Sequence, residues 1–181
     1  MHESAMTLDS LRPAIAEISL GLAICVVLLA DLFTGPSRRY LTPLLTLVAL
    51  AACAWLTVTV GAVQDRTVLF DGLYVADRLS VFLKLAGFLS VGLALFYSQP
   101  YLERRGIHGG EYQVLALTAL LGICVLASAN SLLTVYLGIE LLSLSLYALV
   151  AFDRDSGVAA EAAKKYFVLG ANAYGTLHNC M

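Results

Sequence analysis

Charge is scarce in this chain. Of its 181 residues only 13% are Asp, Glu, Lys or Arg, about half the share of a soluble globular domain, while 60% are hydrophobic. That composition excludes a disordered chain. The shortage of basic residues, with a net charge of -2, also excludes a nucleic-acid binder, which needs a concentrated cationic surface to replace the counterions on phosphate. Histidine and cysteine are few, with three and four copies. The cysteines are spaced neither as zinc ligands nor as a disulfide framework. Cys25, Cys53 and Cys124 fall inside apolar stretches, where they read as small packing residues, and Cys180 lies in the polar C-terminal stretch. There is no phosphate-cradling glycine loop, nucleophile–base pair or redox-cofactor motif. Gly109 and Gly110 beside His108 read as an ordinary turn, and His2 and His178 carry no motif.

The hydrophobic residues come in blocks long enough to cross a bilayer. A hydrocarbon core roughly 30 Å thick takes about 20 apolar residues at the rise of an α-helix. Five blocks qualify: 13–33, 41–63, 79–98, 112–129 and 131–152. Glu17 and Asp31 lie near the two ends of the first, within reach of the interfaces. Pro43 sits in the first turn of the second, where a missing N–H costs least. The fourth and fifth are separated by little more than Asn130, so they form a tight antiparallel hairpin. A sixth segment begins near Ala159, but its apolar run ends at Ala171, and Asn172, Thr176, His178 and Asn179 follow. The expected fold is all-α: a polytopic bundle of five transmembrane helices with a truncated sixth. We divide the chain into residues 1–171 and an atypical tail, 172–181.

A cleaved signal peptide needs a net positive leader, whereas the leader here sets Glu3 and Asp9 against Arg12, so the first helix is retained. Basic residues then fix orientation. Arg38, Arg39, Arg104, Arg105, Arg154, Lys164 and Lys165 follow the odd spans, against Arg12, Arg66 and Arg78 on the other side. The N-terminus is outside, and the chain is a multi-pass protein of the inner (plasma) membrane. The longest outer loop, 64–78, is acidic, with Asp65, Asp71 and Asp77.

Ionisable residues at depth carry the functional information, since each costs roughly 2.5–3.5 kcal/mol on insertion scales unless it faces protein or water. Glu140 lies about 10 residues, or roughly 15 Å, from either end of its span, too far to reach an interface. Tyr136, Ser143 and Tyr147 recur on its helical face and make a polar stripe. Two roles fit such a residue. It is either a neutral carboxyl hydrogen-bonded to a neighbouring helix, or a proton carrier in which desolvation favours the acid and a movable cation favours the carboxylate. Lys84, about a turn and a half into the third span, is expected to snorkel outward as readily as to take a buried role. Glu161 and Lys165 have the i,i+4 order that supports a helix, with Lys164 as an interfacial anchor and Lys165 on a face that can turn inward.

The run NSLLTVYLGIELLSLSLYALVAFDRDSGVAAEAAKKYFVLGA, from Asn130 to Ala171, resembles the fifth and sixth helices of the subunit N family, the antiporter-like membrane subunits of NADH-quinone oxidoreductase (respiratory complex I). LLADLF in the first span and DRLSVFLKL from Asp77 to Leu85 are similar to the same family. The resemblance implies a membrane subunit of a proton-translocating enzyme. Glu140 stands at the family's fifth-helix glutamate and Lys165 at its sixth-helix lysine. NADH, flavin, iron–sulfur clusters and quinone belong to the parent complex, with none of them in this chain. The implied partners are the other membrane-arm subunits and the lipid bilayer, with no nucleic acid. The family's seventh-helix and twelfth-helix lysines have no counterpart here, so the chain is expected to be an incomplete fragment, inactive alone. Two other readings remain: an antiporter-like subunit of a multisubunit cation/proton antiporter or membrane-bound hydrogenase, and a structural membrane adaptor.

Overall fold

A computed structural model describes residues 12–33, 41–60, 66–105, 110–153 and 156–180, with the backbone alone for Tyr174, Leu177, His178 and Cys180. His2, Arg38, Arg39, Asp65, His108, Gly109 and Arg154 lie outside the described residues. Among the described residues six α-helices run in order: α1 (Ile15–Phe33), α2 (Leu41–Thr59), α3 (Arg78–Arg105), α4 (Gly110–Ala127), α5 (Leu132–Val150) and α6 (Gly157–Cys180). The first five are long and apolar enough to cross a membrane. Helix α3 overruns its expected end at Ser98, continuing past Pro100 to finish on Arg104 and Arg105, whose charges suit a helix C-terminus. Helix α6 passes through Ala171 and Asn172 without a break, because its polar residues interrupt the apolar run but not the backbone hydrogen bonding.

Helix α4 is the centre of the bundle, packed against α1, α2, α3 and α5. Leu20 and Val27 of α1, Leu50 and Cys53 of α2, Phe88 and Leu95 of α3, and Leu117, Leu120 and Cys124 of α4 form the core. The outward side chains are also large and apolar, Leu22, Phe33, Trp55 and Phe82 among them, as expected where the solvent is lipid. Helix α2 shows how polar groups fit such an interior. Thr46 and Thr57 are buried, and each hydroxyl donates to the carbonyl one turn back, Thr42 and Cys53, at 2.9 and 2.8 Å.

Helices α4 and α5 meet through glycine. A Cβ on Gly122 would lie 2.7 Å from the Leu142 backbone nitrogen, and one on Gly138 would lie 2.8 Å from the Leu126 side chain. Two further devices tie the ends. Where α1 ends and α4 begins, Asp31 is half-buried. Its carboxylate accepts from Thr42 Oγ1 (3.0 Å) and from the Gly110 N–H (3.2 Å), capping the first turn of α4. At the outer end, Thr67–Leu69 (β1) and Tyr74–Ala76 (β2) pair as an antiparallel hairpin, in register Val68 to Val75. Phe70, Asp71 and Gly72 in its turn all have positive φ (53°, 52° and 92°). The glycine adopts this freely; the phenylalanine does so at a cost. Asp77 then starts α3 in a reciprocal cap, accepting from the Ser80 N–H (2.7 Å) while its own N–H donates to Ser80 Oγ (3.0 Å).

Candidate functional site

Helix α5 starts at Ser131, whose Oγ accepts the Thr134 N–H at 3.2 Å, as a serine N-cap should. Gly138, Leu142 and Ser145 follow at helical spacing toward α4, which leaves Tyr136, Glu140 and Tyr147 on the opposite side. Glu140 is half-buried, and its carboxyl interacts electrostatically with the Tyr136 phenol one turn earlier. Among the described residues, no ion pair joins Glu140 to a cation.

The rest of the stripe divides from this pair. Ser143 is buried, and its hydroxyl donates to the Ile139 carbonyl at 2.5 Å. Tyr147 is covered by α6: its ring meets Tyr166 and Phe167 edge-on at 4.9 and 5.5 Å, and its hydroxyl end is seated against Gly170, where a Cβ would collide with it. Lys165 is one helix away. It is exposed and salt-bridged to Glu161 at 2.7 Å, the i,i+4 pairing read from the sequence. The structure therefore joins Tyr136 to Glu140 and Tyr147 to the KKYF block, and leaves Lys165 engaged elsewhere.

Of the two roles open to Lys84 in the sequence, the structure shows the buried one: it is 2% exposed, with Nζ 2.7 Å from Glu17 Oε1 and donating to the Tyr74 hydroxyl at 2.9 Å. Glu17, expected at the interface, is 13% exposed and turned into this pair. The Tyr74 hydroxyl lies 2.8 Å from the Pro13 carbonyl and 3.1 Å from Glu17 Oε2, and the Lys84 ammonium stands 5.1 Å from the Tyr74 ring centre. Opposite charges at such close range, with a phenol satisfying both, offset the desolvation that drives a lone lysine outward. Burial first, and then the Glu17 carboxylate, push the Tyr74 phenol above its ordinary value, against the pull of Lys84. The sequence did hold a signal for this cluster. Two spans each carry one charge, of opposite sign, within two turns of the same membrane face. Neither was paired with the other because Tyr74, the third member, sits in a loop.

Among the described residues, no group of three or more His, Cys, Asp or Glu side chains converges as a metal site would.

The family described as NADH:quinone oxidoreductase/Mrp antiporter, transmembrane, matches residues 129–179, the stretch holding Glu140 and Lys165. NADH-quinone oxidoreductase subunit N of Nitrosomonas europaea is 50% identical over 170 residues, covering 94% of this chain and 35% of that protein. The subunit N of Acidithiobacillus ferrooxidans is 53% identical over 164 residues, covering 91% and 34%. In a structure of respiratory complex I from Thermus thermophilus with bound aureothin, a chain superposes with a TM-score of 0.69 at 28% identity, covering 88% of this chain and 34% of that one. This chain spans about a third of the length of the curated relatives it matches.

Proposed function

We propose that this chain, which belongs to the subunit N family of NADH-quinone oxidoreductase, supplies the membrane arm of a proton-translocating complex with a carboxyl that takes up and hands on protons during quinone reduction. The observation that carries the reading is Glu140. It is an acid in mid-span, on the side of α5 turned from the bundle core, with the Tyr136 phenol as its neighbour one turn earlier. The approach and withdrawal of a cation would let a mid-span carboxyl release and take up a proton. Tyr136 keeps the carboxyl oriented in both states, since a phenol donates to a carboxylate and accepts from an acid. Ser143 and Tyr147 continue the polar face, with Lys165 on α6 at the cytoplasmic side. NADH, flavin, iron–sulfur clusters and quinone act in other subunits of such a complex, which lies in the inner membrane.

The test is Glu140→Gln in the longer parent protein assembled in its complex. Proton pumping into inverted vesicles, measured by quenching of a pH-sensitive dye during NADH oxidation, should fall at least about tenfold, as expected when a positioned proton-transfer group is lost. Pumping unchanged in an assembled complex would remove the role. A second reading has its own support, because the matching family also takes in Mrp-type antiporters. In that case the parent would exchange a cation for protons without NADH, and co-purification with iron–sulfur subunits would be absent.

A further inference from the structure

The proton-carrier reading leaves unused the most deeply buried charge in the bundle, Lys84, and the hairpin it holds. A continuous line of hydrogen bonds leads away from it. Lys84 fixes the Tyr74 hydroxyl. The backbone of Tyr74 is bridged to Ala129, and the next residue, Val75, donates its N–H to the Ser128 carbonyl at 2.9 Å. On the other side of Tyr74, the Leu73 carbonyl accepts from the Asn130 N–H (3.1 Å) and from Thr134 Oγ1 (3.0 Å). The Asn130 side chain closes the joint, donating to the Gly72 carbonyl at 2.7 Å and accepting from Arg66 at 3.3 Å. Thr134 lies in the first turn of α5, two residues before Tyr136 and six before Glu140.

We propose that Glu17, Lys84 and Tyr74 are positioning residues for Glu140, acting through the outer hairpin, which clamps the first turn of α5 and so sets the orientation of the Tyr136–Glu140 pair. The inference rests on Glu140 being the proton-carrying group, but its test reads that carboxyl directly. Helix α5 has few other constraints on this side. The Tyr136–Glu140 face is turned from α4, and α6 covers only the Tyr147 end. The orientation of Tyr136 toward Glu140 therefore depends on how the first turn is seated. Removing the Lys84 ammonium strands Glu17, frees the Tyr74 hydroxyl and loosens the hairpin. Cutting the far end of the line, at Thr134, frees the same turn while leaving the buried cluster intact.

The experiment places the full chain in nanodiscs of phosphatidylethanolamine and phosphatidylglycerol. It follows the infrared C=O stretch of protonated Glu140, identified as the band lost in Glu140→Gln. Lys84→Met and Thr134→Val should each change the ratio of protonated to ionised Glu140, in the same direction, by about twofold or more, the scale of coupling through a packed network. The exchanged pair Glu17→Lys with Lys84→Glu restores the ion pair and should return the band toward that of the unaltered chain. Arg105→Ala, far from the line, should leave it unmoved. If the Lys84→Met chain does not insert, Thr134→Val decides. An unchanged band in Thr134→Val overturns the proposal. An unchanged band alongside a pumping-dead Glu140→Gln parent sinks this inference alone, whereas a shifted band alongside a pumping-competent Glu140→Gln parent sinks the proton-carrier reading alone.

Discussion

Two of the carboxylates within the membrane-spanning helices, Glu17 and Glu140, are treated in opposite ways. Glu17 is given an ammonium at 2.7 Å, a phenol and a nearly closed environment. Glu140 is given a phenol one turn away and a half-open face. The first arrangement fixes charge in place and holds three elements together. The second, in the role proposed above, leaves the carboxyl open to an approaching cation. Depth alone does not separate structural from functional charge in a membrane; the permanence of the counter-ion does.

The sharpest way to break that contrast is to make Glu17 resemble Glu140. Lys84→Met leaves a carboxylate buried without its cation and should destabilise the bundle by about 3–5 kcal/mol, measured by denaturant titration in bicelles. Glu17→Leu with Lys84→Met removes both charges and should recover most of that loss. A single variant no less stable than the double would show that the pair contributes nothing.

A smaller effect comes from the phenol. Tyr74 ionises at higher pH folded than its ordinary 10.0, so as pH rises the unfolded chain gives up this proton first and binds fewer protons than the folded one. Stability from this group is complete below pH 10.0 and is lost as pH climbs through the folded value, by about 1.4 kcal/mol for each unit separating the two. Unfolding followed across the alkaline range should show a downward slope that Tyr74→Phe flattens; equal slopes would exclude the mechanism. The smallest effect belongs to the surface pair Arg105–Asp153, 3.4 Å apart and open to solvent. Arg105→Ala should change stability by less than about 0.5 kcal/mol in the same bicelle titration, the scale against which the buried pair is judged.

The five spans were legible in the sequence because each is a local property: enough consecutive apolar residues, with charge confined to the ends. Glu140 was legible for the same reason, as an exception inside such a run. What escaped were the contacts between distant segments. Lys84 was read by the length of its stem, which permits snorkelling, but the partner that holds it back lies 67 residues earlier, in α1. Asp31 was placed near an interface by its position in the helix, but the open N–H that it caps, at Gly110, lies 79 residues on. The outer loop read only as acidic, because a hairpin of three-residue strands leaves too short an alternation to register. Polar residues after Ala171 suggested an ending to the sixth helix, yet helical hydrogen bonding tolerates Asn, Thr and His where a bilayer would not.

The glycine contact between α4 and α5 bears on how this half of the molecule can move. With no side chain standing between Gly122 and Leu142, or room for one at Gly138, neither rod can roll against the other without driving backbone into backbone. The contact sets the spacing of the two rods partway along their length and leaves the outer turn of α5 to be seated by the hairpin at the Asn130 joint.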